Sequence, residues 1–226
     1  MSPDASAWLP AAGTPALRVE RGNSPSTGMP VEAAKSASAM SANASATDVE
    51  LRVRAAVLQD AGAIARIYNQ GIEERRATFQ TRPHGPSDFV ERIADRRRPF
   101  LVAEADGELV GWASVLPYSD PAPYYAGVGE ATMYVDRSAR RRGIGSRLLD
   151  ELAAEAERCD FHKLVGKIFT SNEPSIELVK RRGYREVGVH LRHGQLDGRW
   201  KDVLVVELLL GEASAPGSGP KEAGNE

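Results

Sequence analysis

Between Val49 and Leu210 the hydrophobic positions switch repeatedly between the two-residue period of a strand and the 3.6-residue period of a helix. Leu51-Arg52-Val53-Arg54-Ala55 alternates and predicts a strand. Residues 59–74 carry Ala61, Ile64, Ala65, Tyr68 and Ile72 at helical spacing, with Asp60 near the start. Ser87 is placed to cap a short helix that buries Phe89 and Ile93. Apolar runs at 100–104 and 109–115 flank Asp106-Gly107, a hairpin signal. Ala131-Thr132-Met133-Tyr134-Val135 reads as the next strand. Ile144, Leu148, Leu149, Leu152, Ala156 and Cys159 then share one face of a long helix. A strand is predicted over 163–169, and a helix over 174–182, opened by Pro174 and closed by Gly183. Strands over 184–193 and 200–210 join around Asp197-Gly198. The predicted order is β-α-α-β-β-β-α-β-α-β-β, without an internal repeat. That is an α/β (α+β) domain with a mixed sheet, over residues 50–210.

The flanks read differently. Residues 1–49 are rich in Ala, Ser, Pro and Gly and follow neither period. Such a segment buries too little apolar surface to offset the entropy of ordering, so it is predicted to be disordered. Translation from an internal methionine such as Met40 is an alternative reading of it. Residues 211–226 form a second tail of the same kind.

Composition narrows the class. A chain of 226 residues with 42% hydrophobic and 27% charged residues is an ordinary soluble protein. A net charge of −2 gives no general drive toward nucleic acid. No apolar run approaches the ~18 residues that cross a bilayer, and the first residues lack a secretory pattern. Cys159 is the only cysteine, which excludes an internal disulfide. The expected location is the cytoplasm. The four histidines show no metal-ligand spacing, so no metal is expected. Cys159 falls on the apolar helix face and reads as core rather than nucleophile.

The chemistry concentrates in Arg140-Arg141-Arg142-Gly143-Ile144-Gly145-Ser146, between a strand and the long helix. The first turn of that helix offers unpaired N–H groups and the positive end of its dipole. Glycine lets those groups approach phosphate oxygens closely, and the arginines add full charges. The pattern lacks the third glycine of the nicotinamide fingerprint and the Gly-Lys-Ser/Thr of a P-loop.

The Arg140-x-x-Gly143-x-Gly145 loop and the element order resemble the acetyl-CoA pyrophosphate loop and fold of the GNAT acetyltransferases. Four further stretches sharpen the resemblance. They are Ile67-Tyr68-Asn69-Gln70-Gly71-Ile72-Glu73 with Ala77-Thr78-Phe79, Gly129-Glu130-Ala131-Thr132-Met133-Tyr134-Val135, Asn172-Glu173-Pro174-Ser175, and His193-Gly194 with Asp197-Gly198-x-Trp200-x-Asp202-Val203. These resemble the phosphinothricin N-acetyltransferases, and within them the arsinothricin N-acetyltransferases of arsenic-resistance gene clusters.

The resemblance implies a GNAT fold, a central mixed, mostly antiparallel sheet flanked by helices, with a V-shaped splay between the fourth and fifth strands. It implies acetyl-CoA as co-substrate, with its arm paired to the backbone of Met133, Tyr134 and Val135. The 140–146 loop would hold the diphosphate, and Asn172 and Ser175 would contact the arm. Asn172 reads equally well as a helix N-cap. Glu130 would be the general base for the acceptor amine, because a protonated amine cannot attack a thioester. Arg75, Thr78, Phe79, Tyr118, Tyr124, His193 and Trp200 are the candidates for binding an anionic acceptor. An arginine such as Arg75 grips an oxyanion through two parallel hydrogen bonds.

The sequence departs from the family twice. Val179 stands where relatives carry a Tyr or His that serves as acid, and no basic residue lies near Pro121. The implied activity is N-acetylation of a small amine, the α-amino group of a glutamate-analogue toxin, giving resistance. Rival acceptors are methionine sulfoximine, a polyamine or a protein N-terminus. A non-catalytic acetyl-CoA sensor is the rival outside enzymes. Family members commonly form homodimers. No nucleic-acid or membrane partner is expected.

Overall fold

The alternating and helical segments form the predicted elements in the predicted order. They are β1 (Arg52–Ala55), α1 (Ala61–Glu74), α2 (Ser87–Ala94), β2 (Phe100–Ala105), β3 (Glu108–Pro117), β4 (Val128–Val135), α3 (Ile144–Arg158), β5 (Lys163–Phe169), α4 (Glu173–Arg181), β6 (Arg185–Leu196) and β7 (Arg199–Leu209). These come from a computed structural model that describes residues 51–120 and 122–214. Residues 1–50, Pro121 and residues 215–226 lie outside the described residues, and with them the predicted N-terminal segment and most of the predicted C-terminal tail. Gly211–Ser214 forms a short 3₁₀ turn, so regular structure runs past the predicted end of the domain.

The strands make one sheet in the order β1-β2-β3-β4-β5-β7-β6. Every pairing is antiparallel except β4–β5. Two turns explain the tight hairpins. Asp106 and Gly107 have φ of 54° and 79°, and Asp197 and Gly198 have 49° and 74°. Two successive positive φ values are what the twist of a two-residue hairpin demands, and Asp-Gly accepts them.

Each sheet face carries its own core. On one, Leu148, Leu152, Leu164 and Val206 are fully buried beneath α3 and α4. On the other, Ile64, Ile67, Phe89, Val102 and Trp112 pack under α1 and α2. Trp112 donates its indole N–H to the Ile64 carbonyl at 3.2 Å, so its burial leaves no orphaned donor. Ser87 does not cap α2. It is the first helical residue, and Asp88 instead accepts from the Gly85 N–H at 2.7 Å.

Candidate active site

The parallel β4–β5 ladder is short. It joins Val128 to Lys163, Gly129 to Leu164 and Glu130 to Val165, and then stops. Both strands continue, to Val135 and Phe169, without a ladder between them. The strands therefore splay, and the facing backbone groups of residues 131–135 have no strand partner on that side. Backbone N–H and C=O groups need partners, so this open edge is a template for an extended ligand. A cleft fills the splay, lined by Met133 and Tyr134 on one arm and Lys167 and Phe169 on the other. Asn172 and Ser175 border it at the start of α4. Asn172 occupies the N-cap position, yet its side chain makes no capping hydrogen bond.

Alternation divides the β4 side chains. Ala131, Met133 and Val135 pack toward α3 and α4. Glu130, Thr132 and Tyr134 share the opposite parity. The Tyr134 ring stacks on Trp112 at 4.9 Å and meets Tyr68 edge-on at 5.0 Å. Burial, and then the neighbouring Tyr68, push its phenol well above the usual range, so it stays protonated. The Thr78 and Thr132 hydroxyls flank that phenol, and its hydroxyl lies 3.5 Å from the Ala77 carbonyl. Ala77, beyond the end of α1, thus lines the cleft beside the Tyr134 hydroxyl.

Glu130 is the last residue of β4 paired with β5, at the point where the two strands part. Its Oε2 accepts from Lys167 Nζ at 2.7 Å across the splay. The side chains are only 19% and 23% exposed, so the pair is screened less than a surface ion pair. His193 stands on β6 with its ring 4.7 Å from that of His190. Burial, then His190 and the Lys167 charge, hold its imidazole below its ordinary value and favour the neutral form.

At the far end of β4 the chain enters the basic loop. Gly143 has φ of 79° in the N-cap position of α3. The first N–H to bond within the helix is that of Arg147, to the Gly143 carbonyl at 3.1 Å. The N–H groups of Ile144, Gly145 and Ser146 precede it and have no intrahelical acceptor, and no side chain caps the helix. Arg140 is paired with Glu74 at 2.9 Å, while Arg141 and Arg142 are exposed.

Asp136 anchors this loop. Burial alone would raise its pKa, but the Ser138 hydroxyl and N–H, Arg66 and Gln70 all donate to it and hold it well below the usual carboxylate range. A depressed folded pKa gives stability that is complete above the ordinary carboxylate value, about 4, and is lost as pH falls through the folded value. Asp136→Asn is therefore expected to cost about 1–3 kcal/mol at neutral pH. The deficit should shrink below about pH 4, where the Asp136 carboxylate of the unfolded chain begins to protonate while that of the folded protein stays ionised. Urea unfolding at pH 7 and pH 3.5 measures both; equal midpoints at pH 7 would refute the anchoring role.

Several predicted acceptor residues are placed elsewhere. Arg75 ends α1 in the left-handed region, and its Nε pairs with Asp197 of the β6–β7 turn at 3.0 Å. It ties the hairpin to the helix instead of standing free for an anion. Phe79 packs edge-on against Phe169 at 4.7 Å, within an apolar cluster with Leu196 and Val203. Tyr118 meets Tyr125 edge-on, and Tyr124 is 76% exposed. Trp200 is 57% exposed. Tyr118, Tyr124, His193 and Trp200 do not line the cleft. Of the predicted acceptor set, Thr78 lies beside the Tyr134 phenol and His193 near Lys167, both polar groups of the cleft.

Two cleft residues escaped sequence reasoning. Lys167 carried a signal, a single charge inside the apolar strand Leu164-Val165-Gly166-Lys167-Ile168-Phe169. Tyr184 carried none beyond its place after the α4 glycine. Its hydroxyl is buried, has no hydrogen-bond partner and borders the cleft beside Val179. Burial, then Asp150, push its phenol upward. Cys159 ends α3 half-buried, and burial followed by Glu155 and Asp160 raises its thiol, which disfavours a nucleophilic thiolate. Among the described residues no cluster of His, Cys, Asp and Glu has metal-binding geometry. No helix among them is long and apolar enough to cross a membrane.

Residues 65–184 match the model of the acetyltransferase (GNAT) family. The phosphinothricin N-acetyltransferase of Streptomyces viridochromogenes is 34% identical over 156 residues, covering 68% of this chain and 84% of its own. The L-methionine sulfoximine/L-methionine sulfone acetyltransferase of Pseudomonas aeruginosa is 33% identical over 164 residues, covering 70% and 94%. A solved phosphinothricin acetyltransferase from Sinorhizobium meliloti, in complex with AcCoA, superposes with a TM-score of 0.69 at 26% identity, covering 76% of this chain and 94% of that one. The chain belongs to the GNAT family and is an N-acetyltransferase related to the phosphinothricin and methionine sulfoximine enzymes.

Proposed function

We propose that this protein transfers an acetyl group from acetyl-CoA to the α-amino group of an anionic glutamate analogue of the phosphinothricin or arsinothricin type, and so confers resistance to it. The observation that carries this reading is Glu130, a sheltered carboxylate at the point where the sheet opens. Three features fit the co-substrate: the open edge of residues 131–135, the uncapped start of α3, and the partnerless Tyr184 hydroxyl with the uncommitted Asn172 side chain.

When bound, acetyl-CoA supplies the acetyl thioester. The backbone of Met133, Tyr134 and Val135 binds its arm as an added strand. The N–H groups of Ile144, Gly145 and Ser146 hold the diphosphate, with Arg141 and Arg142 adding charge and Arg140 held beside them by Glu74. Asn172 and Ser175 steady the arm at α4. Glu130 removes the proton from the acceptor ammonium, directly or through water. N–H groups of β4 face the site where negative charge develops on the reacting carbonyl. The cleft holds both reactants in one orientation. Val179 supplies no acid, and the CoA thiolate departs without one because its thiol-like pKa makes it a fair leaving group.

The test is thiol release from acetyl-CoA with phosphinothricin, arsinothricin, methionine sulfoximine, glutamate, a polyamine and a peptide. Turnover is expected with the first three and not with the last two. Turnover with the peptide or polyamine alone would overturn the acceptor assignment while leaving acetyl transfer intact.

A further inference from the structure

We infer that Lys167 is the binding site for the acceptor's α-carboxylate, and so makes the enzyme selective for zwitterionic α-amino acids over simple amines. The inference rests on the acetyl-transfer reading above and assigns a residue that reading does not use.

The argument begins with placement. Lys167 lies on β5 and lines the cleft, on the arm of the splay opposite Glu130, which stands at the cleft's closed end where the ladder stops. Its ammonium touches one oxygen of the carboxylate that must receive the acceptor ammonium. An acceptor amine approaching Glu130 therefore meets a second cation at contact distance. For a simple amine this is unfavourable, because two ammonium groups share one carboxylate in a sheltered site. For an α-amino acid it is favourable. Such a molecule carries its ammonium and carboxylate on one carbon, at about the spacing of the Glu130–Lys167 pair. Its ammonium faces Glu130 and its carboxylate faces Lys167, giving four alternating charges with each like-charge pair on a diagonal.

The arrangement also helps the chemistry. An amino acid's own carboxylate favours the protonated amine, and a cation on that carboxylate weakens the effect. Lys167 thus binds the acceptor and makes its amine easier to deprotonate. Among the described residues Lys167 is the cation in contact with Glu130, while Lys201 Nζ lies over the Phe169 ring at 5.9 Å. Arg75 is held by Asp197, and the guanidinium of Arg92 lies over Phe100 at 5.2 Å while donating to Ser114. His193 is held toward its neutral form near His190 and Lys167, so it brings no full charge of its own.

The experiment compares wild type, Lys167→Met and Lys167→Arg on phosphinothricin and methionine sulfoximine, each as the free acid and as the α-carboxamide. The readout is the ratio of kcat/KM for acid over carboxamide, which cancels any general effect on Glu130. Wild type is expected to prefer the acid. Lys167→Met is expected to lower the ratio by about 10- to 100-fold, the loss of one charge-assisted hydrogen bond in a sheltered site. Lys167→Arg should restore most of it. A ratio that stays constant while both rates fall would overturn the inference and leave Lys167 as a positioning residue for Glu130. If Lys167→Met does not fold, wild type alone decides, since equal use of acid and carboxamide overturns the inference. Wild type that binds acetyl-CoA but acetylates none of the four compounds removes the acceptor reading and this inference together. Use of the acid with an insensitive ratio removes this inference only.

Discussion

Glu130→Gln is expected to lower kcat by about 10²- to 10³-fold while leaving the affinity for acetyl-CoA within about twofold. The substitution is nearly isosteric. The glutamine carbonyl can still accept from Lys167, so the contact across the splay is kept and only basicity is lost. In the proposed arrangement the co-substrate lies along residues 131–135 and the 140–146 loop, which the substitution does not touch. A signature separates lost basicity from distortion. Without a base, the rate depends on the fraction of acceptor already deprotonated, so the variant should gain about tenfold per pH unit below the amine pKa. Wild type should level off at lower pH. Calorimetry with acetyl-CoA and pH–rate profiles of both proteins make the comparison. A variant with wild-type kcat would reduce Glu130 to a strand-end carboxylate. Val179 gives the experiment a second purpose. A buried valine stands where the resemblance implies an acid, as a protein that only senses acetyl-CoA would allow. Such a protein would bind the thioester and release no thiol with either residue at position 130.

What could be read from the sequence follows a physical divide between local and distant information. Lys163–Phe169 forms over its predicted span, because an apolar run bounded by polar residues is a local signal. The two Asp-Gly turns are equally local. β4 starts at Val128, three residues before the predicted strand, because Gly129 gives no hydrophobic mark. β6 runs on to Leu196 through register irregularities near Gly188 and between His190 and Gly194, which interrupt the alternation that a strand prediction counts. The candidate base Glu130 and the basic loop of residues 140–146 could be singled out because each lies in a short motif. The pairing of Glu130 with Lys167, and of Arg75 with Asp197, was not legible. Those pairs join segments far apart in the chain, and nothing local distinguishes a charge that meets a partner from one that meets water. The splay itself is visible only in the register, where a parallel ladder of three pairs ends inside two longer strands.

Gly145→Asp tests the other end of the site, and it is expected to raise the Kd for acetyl-CoA by about 100-fold or more. The residue lies in the first turn of α3, among N–H groups without intrahelical acceptors. A carboxylate there puts a negative charge against a diphosphate at a few ångströms, where even a well-solvated pair of charges repels by about 1 kcal/mol or more. It also competes for the same N–H donors. Bulk is a smaller matter. A Cβ at this position would approach Leu178 Cδ2 at 2.9 Å and the Met133 thioether at 3.4 Å, and both are the ends of flexible side chains. Gly145→Ala should therefore raise Kd by less than about tenfold, and the gap between the two variants isolates charge from packing. Folding stability should move the opposite way to affinity, since an acidic residue in the first turn of a helix interacts favourably with its dipole. Acetyl-pantetheine, a donor without the diphosphate, completes the test. Its weaker affinity should be the same in Gly145→Asp and wild type if the loop acts through phosphate recognition. An equal loss with both donors would mean that the substitution closes the β4 edge through Met133, and that the loop's role is to pack α3 against the strand.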